Sequence, residues 1–338
     1  MATNSNVVIL HNAVSAKSTP DELDVLDQVN AVSDALQELG FTPVCLPVTL
    51  NLKQALTQLQ QLNPLFAFNL FESVESSGRF IYFASAVLDH LQIPYTGSLT
   101  SEIFVTTNKI ITKEYLTHFG IPTPEWTTLE RLISQTDSFP FPCIAKPIFE
   151  DASVGLDSAS VFRDAAAFQK WLKTFTGNPA EMFVEEFVDG REFNISVLAS
   201  PNGPEVLPPA EIRFIDFPDT LPRIVGYRAK WEAESFECTH TVRSFDYPAS
   251  DAALLKRLME LSLDCWQKFR LKGYVRVDFR VRSNGRPEVL EINANPCISP
   301  DSGFVAACQA ANISYTEMIR RVLGDIAGIR HRTAKCFE

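Results

Sequence analysis

Residues 275–296 read VRVDFRVRSNGRPEVLEINANP, and how this stretch pairs with itself governs the reading of the chain. Two short β-patterned runs flank Asn284-Gly285, a dipeptide suited to a two-residue hairpin turn because both central residues need positive φ. With that turn, Asp278 lies opposite Glu291 and Arg276 opposite Asn293. Side chains alternate along a strand, so these four share one face. Val275, Val277, Phe279, Leu290 and Ile292 then form the opposite, core face. Two carboxylates directly opposed across a strand pair repel unless something positive lies between them. A hard divalent cation such as Mg²⁺, which prefers oxygen ligands, resolves the conflict. A solvated acidic face with a neighbouring Arg is the plain alternative, and Pro287 just after the turn is the residue that would lengthen the loop.

At 338 residues the chain is long enough for two or three domains. Its 46% hydrophobic content suffices for burial, and no run approaches the roughly 18 uncharged apolar residues of a membrane span. The opening MATNSNVVILHN lacks the basic region of a signal peptide. A net charge of −11 argues against a nucleic-acid partner, while leaving room for an anionic small ligand held by local Lys and Arg. Seven cysteines without a CxxC pair, and five unpaired histidines, fit a reducing compartment and give no zinc or disulfide signature. The expectation is a cytoplasmic protein with no membrane partner.

The first hundred residues alternate NVVIL, a helix from Pro20 to Gly40, TPVCLPV, LKQALTQLQQL, LFAFNLF and GRFIYFASAVLDHL, the pattern of a parallel helix-covered sheet. SEIFVTTNKIITKEYLTHFG then reads as one helix to Gly120, followed by the rigid connector IPTPEW. PCIAKPIF and DSASVFR read as strands bridged by EDASVGL. AAAFQKWLKTF is a helix, while EMFVEEFV and REFNISVLA are strands. A long helix, DAALLKRLMELSLDCWQKF, precedes the hairpin, and C-terminal helices follow it.

Taken in order, LQIPYTGS, TNKIITKEYLTHFGIPTP, FPCIAKPIFEDASVGL, FVEEFVDGREFNISVL, YRAKW, VRVDF and EINANP resemble segments of the ATP-grasp superfamily. Within it they are similar to the D-alanine–D-alanine ligase group, over roughly residues 90–320. The resemblance implies a mixed α/β and α+β fold: an N-terminal parallel α/β domain (1–100), a central α+β lid (101–190) and a C-terminal α+β catalytic subdomain (191–338). It implies ATP as substrate with one or two Mg²⁺ ions, for which Mn²⁺ would substitute. Lys109 and Lys146 match the cations that reach the phosphates, although a helix Lys such as Lys109 is common on any surface. Ser153 and Gly155 lie in the small-residue loop that closes over the nucleotide in the group, where a plain hairpin turn is the alternative. Glu185 and Val188 match positions at the adenine edge, with Glu186 beside them, and Glu192 matches the ribose acceptor. Asp278, Glu291 and Asn293 match the magnesium ligands. Arg276 and Lys230 match the cations that stabilise the transferring phosphoryl group and the tetrahedral intermediate.

The departures cluster on the substrate side. The group's Glu near the start of the first helix falls around Leu23, with Glu22 and Asp24 adjacent. Its closing-loop Ser corresponds to Ala152 and its Tyr to Trp231. Cys297 replaces the Gly whose N–H serves the oxyanion; it still offers that N–H, although a thiol also invites a nucleophile reading. Ser302 and Gly303, at a helix start, match the acceptor carboxylate site. An intact ATP and metal set beside an altered substrate set implies a carboxylate–amine ligase acting on an acid and an amine, with amino acids as the nearest class. A true D-alanine–D-alanine ligase and a catalytically silent nucleotide-binding regulator are the competing readings. The resemblance also raises a homodimer through the N-terminal domain.

Overall fold

The computed structural model of the chain describes residues 5–15, 17–75, 77–134, 139–149 and 156–326. Among them the strands form three sheets. In the first, β1 (Asn6–Asn12) lies parallel between β2 (Thr42–Val48) and β3 (Ala67–Leu70). Helices α1 (Pro20–Glu38), α2 (Leu52–Leu62) and α3 (Tyr82–Leu91) make the connections. β1 is apolar from Val7 to Leu10 because both of its faces are covered there. Val7 and Ile9 pack with α1, whereas Val8 and Leu10 pack toward α2 and α3.

The expected single helix over 101–120 is two helices, α4 (Thr100–Thr107) and α5 (Lys109–His118). Asn108 breaks it: its side chain accepts hydrogen bonds from Ile110 N–H at 3.0 Å and Ile111 N–H at 3.1 Å. Asn competes with the helix ladder in this way and favours caps. The break places Lys109 in the first turn of α5, with its N–H bonded to Ile148 O at 3.1 Å.

The second sheet is antiparallel, with β4 (Trp126–Thr128), β7 (Met182–Glu186), β5 (Cys143–Pro147) and β6 (Val161–Phe162) in that order. α6 (Leu129–Ser134) and α7 (Ala165–Thr174) flank it. The strand expected over DSASVFR shrinks to Val161–Phe162, because Asp157 caps a 3₁₀ turn at Ser158–Ser160.

The third sheet runs β11 (Thr241–Ser244), β10 (Ala210–Phe214), β8 (Arg191–Leu198), β12 (Tyr274–Val281), β13 (Pro287–Asn293), with β9 (Glu205–Val206) also on β8. Short helices α8 (Tyr227–Trp231) and α9 (Phe236–His240) lie between β10 and β11. α10 (Ala252–Lys268) covers the sheet's outer face through Leu258, Leu261 and Cys265. The last helices, α11 (Gly303–Ala310) and α12 (Tyr315–Gly324), pack back against the first sheet's side. Met318, Ile319 and Val322 there join Val29 and Val32 of α1 in one core.

The hairpin that opens the sequence reading differs from its expected form at the turn and agrees with it at the far end. Arg282 N–H bonds to Arg286 O and Gly285 N–H to Arg282 O, so the loop spans three residues, with Gly285 at φ +83°. That is a turn closed by a left-handed glycine, in place of the two-residue turn expected of Asn-Gly. The pairing near the turn is accordingly offset, with Val281 opposite Pro287 and Phe279 opposite Val289. A bulge then inserts Leu290 and restores Asp278 opposite Glu291 and Arg276 opposite Asn293. The bulge also turns Leu290 away from the core, where it was expected, and onto a cleft wall. Pro122 and Thr123 hold it: Val289 donates to Pro122 O at 2.8 Å, and Thr123 Oγ1 donates to Val289 O at 2.8 Å.

Gly190, at the entry to β8, sits where a Cβ would lie 2.0 Å from Val281 O. Gly190→Ala should lower unfolding stability by about 1–3 kcal/mol, the cost of overpacking a tight site. Denaturant unfolding would read this, and an unchanged midpoint would contradict the close approach.

Candidate active site

The second and third sheets and the start of α1 enclose a cleft of about 460 Å³. Its floor is the hairpin. Arg276 donates from Nε and Nη2 to the two carboxylate oxygens of Asp278, each at 2.8 Å, and lies 3.9 Å from Glu291. Lys109 Nζ approaches Glu291 from α5 at 3.4 Å. Burial alone would raise the Glu291 carboxyl, but Lys109, Arg276 and Lys230 pull it down to about 2. Burial holds Asp278 above the usual carboxylate range despite Arg276, and the charge of Glu291 adds to the rise. The two opposed acids are thus kept apart by interleaved cations. Asn293 Oδ1 accepts Asn295 N–H at 2.9 Å, which leaves one lone pair free to serve another partner.

Lys146, on β5, projects into the same cleft and meets Glu185 at 2.5 Å. The other oxygen of Glu185 meets Lys113 Nζ at 2.6 Å. Glu185 and Lys113 are each 1% exposed, and Lys113 also donates to Thr123 Oγ1 at 2.7 Å. Burial pushes the Glu185 carboxyl upward, and the two lysines outweigh it, so it stays below its usual range. The Glu185 side chain, expected at an adenine edge, is therefore engaged by lysines. Glu186 and Glu192 are engaged as well. Arg282 grips Glu186 through two bonds of 2.6 Å, and Arg280 meets Glu192 at 2.6 Å. Val188 is buried, and with Ile144 and Leu290 it forms an apolar part of the lining.

Lys230 sits on α8, exposed on the cleft wall, and forms no ion pair or hydrogen bond among the described residues. Protein atoms crowd it without closing off the water. That desolvation lowers its pKa, Arg276 adds to the effect, and Glu291 and Asp278 oppose it. Trp231 beside it also lines the cleft. α8 is tied at two points: Tyr227 N–H bonds to Leu156 O at 3.1 Å, and its hydroxyl donates to Asp21 at 3.1 Å. Ala152, Ser153 and Gly155 lie outside the described residues.

At the substrate end the structure settles which residue near Leu23 faces inward. Leu23 is 41% exposed, Glu22 caps α1 through Thr19 N–H, and Asp24 enters the cleft. Cys297 Sγ donates to Asp24 Oδ2 at 3.0 Å. Burial pushes this thiol well above its ordinary pKa, with Glu72 and Asp24 adding to the rise. A thiol held protonated is a poor nucleophile, which favours the backbone reading of Cys297. Gln28 donates to Glu72 at 2.8 Å, and its oxygen receives Ile298 N–H at 3.0 Å. Ser302 caps α11 by accepting Val305 N–H, and Gly303 begins that helix at the cleft edge.

Sequence reasoning missed Lys113, Arg280, Arg282, Glu72 and Arg243. Arg280 and Arg282 carried a signal, since they continue the alternating face of Arg276 and Asp278. Lys113 carried a weaker one, four residues after Lys109 on the same helix face.

Residues 115–324 match the family model described as D-ala D-ala ligase C-terminus. The chain belongs to the D-alanine–D-alanine ligase family. An uncharacterized protein of Sinorhizobium fredii is 30% identical over 89% of this chain and 88% of its own length. A D-alanine–D-alanine ligase of Aquifex aeolicus is 28% identical over 87% of this chain and 92% of its own. In three dimensions, a D-alanine–D-alanine ligase from Bacillus anthracis complexed with ATP matches with a TM-score of 0.68 at 21% identity, covering 98% of this chain and 99% of that one. The fold is that of the ATP-grasp ligases, as the order of segments implied. Among the described residues, no helix of this family member is long and apolar enough to cross a membrane.

Glu185→Gln should leave Lys113 as an uncompensated buried cation and cost about 3–5 kcal/mol. Combining it with Lys113→Met should recover most of that loss, since the buried charge goes with its partner. Thermal unfolding of both variants tests this, and a double variant as unstable as the single one would refute it.

Proposed function

We propose that the chain is an ADP-forming carboxylate–amine ligase that uses ATP and acts on a substrate pair other than two D-alanines. The observation that supports the chemistry is the interleaving of Lys109 and Arg276 with Asp278 and Glu291 on one cleft floor. Each carboxylate has a cation that a bound phosphate could take over. The acids would then be freed for a metal ion at the moment the nucleotide arrives.

The donors fit Mg²⁺: two carboxylates and an amide oxygen, all hard ligands, with too few protein groups to saturate the ion without phosphate oxygens. Among the described residues no cluster of three His, Cys, Asp or Glu forms a self-sufficient metal site, which agrees with a metal shared with a nucleotide. Asp278, Glu291 and Asn293 would hold Mg²⁺, which when bound neutralises phosphate charge.

In this reading Ile144, Val188 and Leu290 clasp the adenine ring, and Lys109 and Lys146 meet the phosphates. Lys146 is steadied for that task by Glu185. The acid's carboxylate oxygen attacks the γ-phosphorus of ATP, the bond to ADP breaks, and an acyl phosphate forms. The amine nitrogen then attacks the acyl carbon and loses a proton, and phosphate leaves. Arg276 and Lys230 face the oxygens on which charge builds in both steps, and preorganised cations in a cleft are effective there. Asp24 offers a carboxylate to an ammonium group of the acid substrate. The substitution of Ala152 and Trp231 for the family's Ser and Tyr supports a changed substrate pair. The relationship to the Aquifex ligase favours the second reading, D-alanine for both.

The test is ADP and phosphate release with ATP and Mg²⁺ across single and paired D- and L-amino acids, with mass spectrometry of the products. Turnover with a pair other than D-alanine is expected, whereas robust D-alanyl-D-alanine formation would establish the second reading. Asp278→Asn should cut turnover about 10²–10³-fold. The folded protein raises this carboxyl's pKa, so its ionised form favours the unfolded chain at neutral pH. The same variant should therefore melt, without ligand at pH 7, no lower than the unaltered protein. A clear fall in Tm would contradict that sign.

A further inference from the structure

Arg243 stands apart from the cations used so far. It lies on β11, at one edge of the third sheet, while the acidic hairpin forms the opposite edge. Thr241 and Arg243 face the cleft, and Val242 between them is 45% exposed. Arg276, Arg280 and Arg282 each meet a carboxylate, whereas Arg243 forms no ion pair among the described residues. The charges facing it are Arg276 and Asp301. Desolvation and then Arg276 lower its pKa, and Asp301 opposes them, although the side chain still touches cleft water. Asp301 is itself partly occupied, accepting the Ser299 hydroxyl at 3.1 Å.

The space for this guanidinium is provided by Gly303. A Cβ on that residue would lie 3.4 Å from Arg243 Nη2 and 3.6 Å from Nε. Gly303 has no positive φ, so its missing side chain serves room and not backbone freedom. Two guanidinium groups share this end of the cleft, and among the described residues Arg276 meets carboxylates whereas Arg243 does not. An anion from outside is what the second one lacks, and a planar carboxylate suits its fork of donors.

We propose that Arg243 is a specificity-determining residue that selects an amine substrate bearing a carboxylate, with Gly303 leaving room for that pair. The inference rests on the ligase reading, in which Ser302 and Gly303 already match an acceptor carboxylate site, and adds Arg243 to that site as the residue that selects by charge. It separates the two substrates by charge: Asp24 faces the acid's ammonium group, and Arg243 faces the acceptor's carboxylate.

The experiment uses the full chain and two kinds of acceptor. Hydroxylamine displaces phosphate from an acyl phosphate to give a hydroxamic acid, and so reports acyl-phosphate formation without an acceptor carboxylate. The second kind is a panel of amino acids, each beside its amide. The unaltered protein should use amino acids about 10- to 100-fold better than their amides in kcat/KM, the value of a hydrogen bond to a charged group. Arg243→Gln should lose a similar factor toward amino acids, mainly through KM, and little toward amides. Arg243→Lys should recover part of the loss, and Gly303→Ala should raise the same KM. Equal use of acids and amides by the unaltered protein would overturn the proposal. So would a parallel fall in hydroxamate and peptide formation in Arg243→Gln. Absence of hydroxamate with every acid would instead overturn the ligase reading, and this inference with it.

Discussion

The site depends on one buried carboxylate. Glu185 binds Lys146 with one oxygen and Lys113 with the other, and Lys113 reaches on to Thr123. Thr123 in turn fastens Val289, where the hairpin bulges. The chain of contacts therefore runs from the second sheet through α5 to the third, and it sets where Leu290 and Glu291 project. Burying such charges costs several kcal/mol per ion before pairing, so the arrangement contributes little net stability. What it supplies is placement: Lys146 is held over the cleft, and the bulge is held in register.

A second feature is the reuse of one strand face. Arg276, Asp278 and Arg280 alternate along β12 and Arg282 continues the series just past its end, and each engages a partner of opposite charge. Arg280 and Arg282 tie down Glu192 and Glu186, the acids at the junction between the second and third sheets. Arg276 and Asp278 instead bind each other on the cleft floor. Partners that are matched within the protein make a rigid junction, and a pair that can be exchanged makes a receptive site.

Much of this was legible in the sequence because it depends on period and punctuation. The strands of the first sheet, the long helix α10 and the opposition of Asp278 to Glu291 follow from alternation and turn residues. The opposition was correct for a partly mistaken reason, since the longer loop and the inserted Leu290 offset each other. What was not legible depends on contacts distant in the chain. Nothing local marks Lys113 as buried, because its burial comes from a strand over seventy residues away. Asp24 could not be told from Glu22 without the rotation of α1, and the break at Asn108 was hidden because helix follows it directly in the chain. Arg243 lies on a short strand whose neighbours give no hint that it faces a cleft.

The packing of α12 against α1 bears on how the chain is made. Val29 and Val32 find part of their cover in Met318, Ile319 and Val322, nearly three hundred residues later. During synthesis the first sheet emerges with that side of α1 uncovered, and it stays so until α12 has left the ribosome. Contacts so distant along the chain form late and slowly. The first sheet is thus exposed to chaperones and to aggregation for longer than the sheets that follow it, even though it is translated before them.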